Sequence, residues 1–394
     1  MSYMGAGSGA GSGAGSGAGS GAGSGAGSGA GSGAGSGAGV HSGGPGSGAL
    51  SYTLTMAHDG LVGSWFGEGT ENPDFPLFSA EDGDIDYLDT VSRVRLMDSE
   101  LAAPFSMKKE GGKAVLSLDG APLLSISRPD QAFFEEQLSW VRAYSDLRVD
   151  RIDEINLQIN DLMSYFGGIF LLNGARRKKT LELLYTAYRL ALRVEVLAKH
   201  ICRAPRPIDY SLKVQPTIQT PDHSSYPSGH ATEAFTIATV LHRVMTGESA
   251  QVGLKARAMP FKMAARIAVN RTIAGVHFPV DSAAGALLGC TIGEAVAAAA
   301  LGKHEEFAKQ GLTILEFPAS DSVTGSGVPI HNATFDSKAD FDLDWLEKSC
   351  IDRKTSEPKN RPKEDSVSPI LTRLWCEALD ERRTERKPRH VGKK

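Results

Sequence analysis

The chain has 394 residues, 41% of them hydrophobic, and a net charge of −4 from 42 Lys+Arg against 46 Asp+Glu. That length holds two average domains or one large domain with tails, and the charge balance argues against general nucleic-acid affinity. Four scattered cysteines, Cys202, Cys290, Cys350 and Cys376, form no CxxC or His/Cys ligand spacing, which argues against a zinc site and a disulfide framework.

Residues 5–39 repeat Gly-Ala-Gly-Ser almost without variation. Such a segment buries too little to offset its ordering entropy, so residues 1–49 read as a disordered leader. No charged n-region followed by an apolar h-region opens the chain, so no signal peptide and a cytoplasmic location are expected. Residues 50–129 read as an irregular layer with some β-structure. Tyr52-Thr53-Leu54-Thr55 alternates like a strand, and Asn72-Pro73-Asp74-Phe75-Pro76 reads as loop. Ala114 to Leu118, Asp119-Gly120 and Leu123 to Ile126 read as a hairpin with a tight turn.

Residues 130–302 carry helical periodicity. A helix is predicted over Asp130 to Leu147, with Phe133, Phe134, Leu138, Val141 and Tyr144 as its apolar stripe. A second is predicted over Arg151 to Leu172. A third, Arg177 to Ile201, carries the stripe Leu181, Leu184, Tyr188, Leu192 and Val196 and ends near Lys199. Pro205 and Pro207 turn the chain into a loop. Gly229 to Met245 and Pro260 to Asn270 read as further helices, and a last core helix begins after His277-Phe278-Pro279. Ala283 to Leu301 approaches a membrane span in length. Its Ala/Gly composition and Glu294 read instead as a close-packed core helix, so no span is expected. Residues 303–394 form a polar extension: a short helix at Asp340 to Cys350, a charged linker at Lys354 to Asp365, a docking helix at Pro369 to Leu379 using Ile370, Leu371, Leu374 and Trp375, and a solvated basic tail from Arg382 to Lys394.

The chemistry concentrates between Lys199 and Asp281. Lys199 and Arg206-Pro207, Pro227-Ser228-Gly229-His230, and Asn270-Arg271, His277 and Asp281 supply three cations, a Ser-Gly-His turn at a helix start, and a histidine with an aspartate four residues on. Cations and helix N–H groups suit a tetrahedral oxyanion. One imidazole can bond to its central atom while the other moves protons.

These three segments resemble the tripartite signature shared by type 2 phosphatidic acid phosphatases, bacterial class A acid phosphatases and vanadium-dependent haloperoxidases, over about residues 130–302. One position departs: Asn270 stands where the third motif usually begins with serine. The resemblance implies a mainly α fold, a helical bundle of the acid phosphatase/vanadium haloperoxidase type with a small irregular/β N-terminal layer. It implies that Lys199, Arg206 and Arg271 neutralise the anion's oxygens and that Ser228 and the Gly229 N–H bond to them. His277 becomes the ligand of vanadium or the nucleophile, Asp281 its orienter and His230 the acid–base.

Vanadate and phosphate fit one such site alike. The long tail, the large helical body, the absence of expected spans or signal peptide, and the wording around Pro227 and Gly275 look more like the haloperoxidases. The expected activity is therefore halide oxidation by hydrogen peroxide at vanadate bound to His277. His223, seven residues before His230, resembles a bromoperoxidase position and favours bromide or iodide over chloride. The alternative is a soluble phosphomonoesterase acting through a phosphohistidine, with no cofactor; a third reading is a non-catalytic phosphate-binding protein. No nucleic-acid partner is expected, and homo-oligomerisation stays open.

Overall fold

The computed structural model describes residue 56 and residues 83–317, 329–353 and 368–386. The repeat leader, the strand expected at Tyr52, the loop at Asn72, the linker at Lys354 to Asp365 and the end of the basic tail lie outside the described residues. The chain divides into two compact units, Met1–Arg95 and Leu96–Lys394. In the first, the Asp89 carboxylate accepts the Ser92 N–H at 2.9 Å, at the start of helix α1 (Thr90–Ala102).

In the second unit the protein is mainly α-helical, as the sequence implies. The hairpin is present: β1 (Phe105–Glu110), β2 (Lys113–Leu118) and β3 (Ala121–Ile126) form an antiparallel meander. Its β2–β3 turn places Asp119 and Gly120 at φ 48° and 79°, the pair of left-handed residues that a two-residue turn requires. Beyond the expected hairpin, β4 (Leu312–Glu316) pairs in parallel with β3, and β5 (Ile330–Thr334) in parallel with β4, giving a five-stranded sheet.

The helical body comprises α2 (Gln131–Tyr144), α3 (Arg148–Leu157), α4 (Met163–Phe170), α5 (Lys178–Cys202) and the short α6 (Pro207–Tyr210). It continues with α7 (Gly229–Thr246), α8 (Ala250–Lys255), α9 (Met259–Ile273), α10 (Pro279–Ala300) and α11 (His304–Ala308), and after the sheet α12 (Leu343–Ser349) and α13 (Pro369–Arg386). The helix expected from Arg151 to Leu172 is two helices broken after Leu157, and Asp161 caps the second by accepting the Ser164 N–H at 3.0 Å. The stripe expected on α5 is also rotated. Val196 is 56% exposed, while Leu183, Leu184, Ala187, Leu190, Ala191, Val194 and Ala198 are buried with Glu195 and Lys199 among them.

Helix α10 runs through the centre, buried at every residue, and packs on α7 through small residues. A Cβ built on Gly285 would lie 2.5 Å from the Ser228 carbonyl oxygen, and one on Gly289 2.4 Å from that of Thr232. Only glycine permits so close a backbone approach. Glu294 is satisfied by the Arg243 Nε at 2.9 Å and the Ala250 N–H at 2.6 Å, which accounts for a carboxylate in an apolar helix. The docking helix is present as α13 and buries Ile370, Leu371, Leu374 and Trp375. Its Glu381 accepts the Lys179 and Thr180 N–H groups at 2.8 and 3.0 Å, capping α5, the helix that carries Lys199.

Candidate active site

Four segments converge: the end of α5, the loop before α7 with that helix's first turn, the end of α9, and the start of α10. Ser228 is the N-cap of α7, its hydroxyl accepting the Ala231 N–H at 3.5 Å. Its own N–H donates to the Asp281 carbonyl at 2.9 Å, fastening the Ser-Gly-His turn to α10. The N–H groups of Gly229 and His230, in the first helical turn, have no intrahelical acceptor and lie at the positive end of the helix dipole.

His277 and Asp281 are coupled. The Asp281 Oδ2 faces the His277 Nδ1 at 3.0 Å and accepts the Phe278 N–H at 2.9 Å. Ser225 donates its hydroxyl to the same carboxylate oxygen and lies 3.3 Å from the His277 Nδ1. Sequence reasoning missed Ser225; its place three residues before Ser228 gave no periodic signal. A carboxylate accepting at Nδ1 fixes the tautomer and leaves the His277 Nε2 as the basic nitrogen. Burial, reinforced by the charge of Arg206, holds this imidazole well below its usual pKa, so the ring is neutral. Phe134 packs its ring 5.1 Å from that of Phe278 and 5.9 Å from that of Tyr210, an apolar wall behind the histidine segment.

The three cations are not equivalent. Lys199 is buried, and its ammonium donates to the carbonyls of Ser224, Ser225 and Pro227 at 3.1, 3.4 and 2.6 Å. Burial pulls its pKa down to about 8, against the opposing charge of Glu195. Arg206 donates to the His223 carbonyl at 3.1 Å, the Val276 carbonyl at 2.9 Å and the His223 Nδ1 at 3.2 Å. The structure thus brings His223 against Arg206, in an exposed position. Arg271 differs. Its NH2 donates to the Ile155 carbonyl at 3.1 Å and the Gln158 Oε1 at 3.0 Å, while its buried Nε and NH1 have no partner among the described residues. Buried guanidinium donors without acceptors are rare and costly. Burial lowers the Arg271 pKa to about 10, still fully charged at neutral pH.

His230, partly exposed, donates its Nε2–H to the Gln158 carbonyl at 2.9 Å, so its Nδ1 is the nitrogen free to exchange a proton. Burial, then the Arg271 charge, brings its pKa down to about 3. Asn270, the departure from the motif, lies outside the oxyanion set: its amide bridges the Gln158 Oε1 and the Arg151 NH1, each at 3.0 Å. Behind the turn, buried Glu195 packs so closely on Gly229 that a Cβ there would lie 2.5 Å from the Glu195 Oε1. Burial raises the Glu195 carboxyl well above the carboxylate range and that of Glu233 to about 7.

Residues 180–303 match the PAP2 superfamily, and the chain carries a PAP2 superfamily domain. Its curated relatives include the decaprenylphosphoryl-5-phosphoribose phosphatase of Mycobacterium tuberculosis, from strains CDC 1551 / Oshkosh and ATCC 25618 / H37Rv. Identity is 33% over 103 residues, which is 26% of this chain and 51% of the relative, so the chain spans about half the length of the curated relatives it matches. Among solved structures it aligns with the transmembrane PAP2 type phosphatidylglycerolphosphate phosphatase from Bacillus subtilis, at a TM-score of 0.32 and 17% identity, covering 52% of this chain and 92% of that one.

Two groups of expectations change. The relatives are phosphatases, which supports the phosphomonoesterase alternative and leaves the haloperoxidase reading, with its vanadate, peroxide and halide, without support. The expectation of a cytoplasmic protein with no membrane span does not stand either. Helix α10 is long and apolar enough to cross a membrane by length and composition. The Ala/Gly character that discounted this stretch lowers its hydropathy without removing it from the range of membrane helices.

Proposed function

We propose that the protein is a phosphoric monoester hydrolase of the PAP2 type, working through a phosphohistidine at His277 with no cofactor. The observation that carries this is Arg271, a buried guanidinium with two unpartnered nitrogens in the same cluster as a neutral, carboxylate-backed histidine. Arg271 and the N–H groups of Gly229 and His230 bind the phosphoryl oxygens. Lys199 and Arg206 add charge while bracing the loop that holds Ser228. The His277 Nε2 attacks phosphorus, forming the P–N bond as the ester P–O bond breaks, and His230 protonates the departing alkoxide through Nδ1. A water, losing its proton to the same nitrogen, then attacks phosphorus, breaks the P–N bond and releases phosphate. In the free site burial and Arg271 keep His230 neutral; a dianion against Arg271 cancels that field and favours the imidazolium needed for the first step. The curated relative's name describes removal of phosphate from a phosphorylated sugar on a decaprenyl lipid, and the same bond type, a phosphomonoester of an alcohol, is the substrate class assigned here.

The test is hydrolysis of p-nitrophenyl phosphate by the purified chain, with alkali-quenched trapping of the labelled phosphoenzyme, since a phosphohistidine is stable in base and labile in acid. Wild type is expected to turn over and to carry label on His277; His277→Ala is expected to do neither. Halide oxidation by the vanadate-loaded chain, with no phosphatase activity, would reverse the assignment.

A further inference from the structure

Helix α3 ends at Leu157 although neither glycine nor proline stands there, and α4 does not begin until Met163. In an uninterrupted helix the Gln158 carbonyl would be taken by the N–H four residues on. The break releases it, and the His230 Nε2 takes it instead at 2.9 Å. The Gln158 side chain is itself fully buried. Its Nε2 donates to the Glu154 Oε1 at 3.0 Å, and Glu154 is gripped by Arg266, whose Nε donates to both carboxylate oxygens at 2.8 and 3.0 Å. That grip fixes the amide with its oxygen toward Arg271, where Oε1 accepts from the Arg271 NH2 and the Asn270 Nδ2, each at 3.0 Å.

We propose that Gln158, outside the matched domain, is a positioning residue for the phosphoryl-transfer site: its amide aims Arg271 and its carbonyl sets the tautomer of His230. The inference rests on the phosphatase reading and deepens it. With NH2 held by Gln158 and the Ile155 carbonyl, Arg271 is left to present Nε and NH1. The neutral amide is the decisive choice. A carboxylate there would accept the same hydrogen bond but pair with the guanidinium, cancelling the charge that the anion needs. The main-chain contact works on the other reactant: by accepting from Nε2 it directs the exchangeable proton of His230 to Nδ1.

The experiment measures p-nitrophenyl phosphate kinetics of the full chain and inhibition by sulfate, which is a dianion across the whole pH range used. Gln158→Glu is expected to weaken sulfate inhibition about tenfold at pH 8, with affinity returning as the new carboxyl is protonated towards about pH 5. Gln158→Met, which keeps the volume and removes the acceptor, is expected to raise KM and the sulfate inhibition constant at every pH, with a smaller effect on kcat. Circular dichroism melts accompany both variants, and the second stands if the first fails to fold. Wild-type sulfate affinity in Gln158→Glu at pH 8, a loss in it that does not change with pH, or wild-type KM in Gln158→Met overturns the inference. A wild-type chain that neither hydrolyses the ester nor is inhibited by sulfate overturns the reading of the site itself, a distinct outcome.

Discussion

Each cation at the site does the work its hydrogen-bond partners leave it. Lys199 spends its donors on the carbonyls of residues 224, 225 and 227, and Arg206 reaches acceptors on both the 223 and 276 strands of loop, whereas Arg271 keeps two nitrogens unpartnered. Because Lys199 carries its charge below about pH 8, sulfate affinity should be full below that value and fall as pH rises through it. A Lys199→Arg variant, whose charge persists, should shift that limb upward in a sulfate-inhibition profile if it folds; an unmoved limb would assign it elsewhere. Ser225 is the other residue-level finding. Its hydroxyl donates to Asp281, so Ser225→Ala should leave KM nearly unchanged and lower kcat by about 10- to 100-fold, the range typical of lost partners behind a catalytic ligand. Steady-state kinetics decide this, and Ser225→Thr should restore much of the loss.

Elements matter here through how closely they approach. Helices α7 and α10 touch backbone to backbone at Gly285 and Gly289, and Gly285 abuts the Ser228 carbonyl at the site. Gly289→Ala should destabilise the fold by about 1–3 kcal/mol in denaturant titrations, because the added methyl meets main chain that cannot rotate away. Gly285→Ala should in addition depress turnover, since it displaces the Ser-Gly-His turn; equal activity in the two variants would separate that turn from helix packing. The β2–β3 turn was legible from Asp119-Gly120, and α7 from its serine cap, since both are local backbone chemistry. The break between α3 and α4 carried only a weak sign, the cap at Asp161. The inward face of α5 was misread because Glu195 and Lys199 lie on it, and counting apolar residues turns the stripe away from charges that the fold buries.

For the molecule as a whole, buried ionisable groups make stability depend on pH. Burial raises the Glu233 carboxyl to about 7 when folded, against an ordinary 4.5, so between those values the folded state holds a proton that the unfolded chain has lost. Its contribution is therefore greatest below pH 4.5 and fades as pH rises through 7. Glu233→Gln should raise stability by about 2 kcal/mol at pH 8 and change it little at pH 4.5, as thermal melts at the two values will report. The sequence by itself determined the helical class, the hairpin, the docking helix and the likeness to the PAP2 superfamily, because caps, turns, periodicity and motif spacing are written in neighbouring residues. Tertiary structure alone decided that β4 and β5 join the hairpin's sheet, that Ser225 and Gln158 reach the two histidines, and which arginine keeps its donors. Those facts depend on segments more than fifty residues apart meeting in space, and on which buried groups find partners when they do.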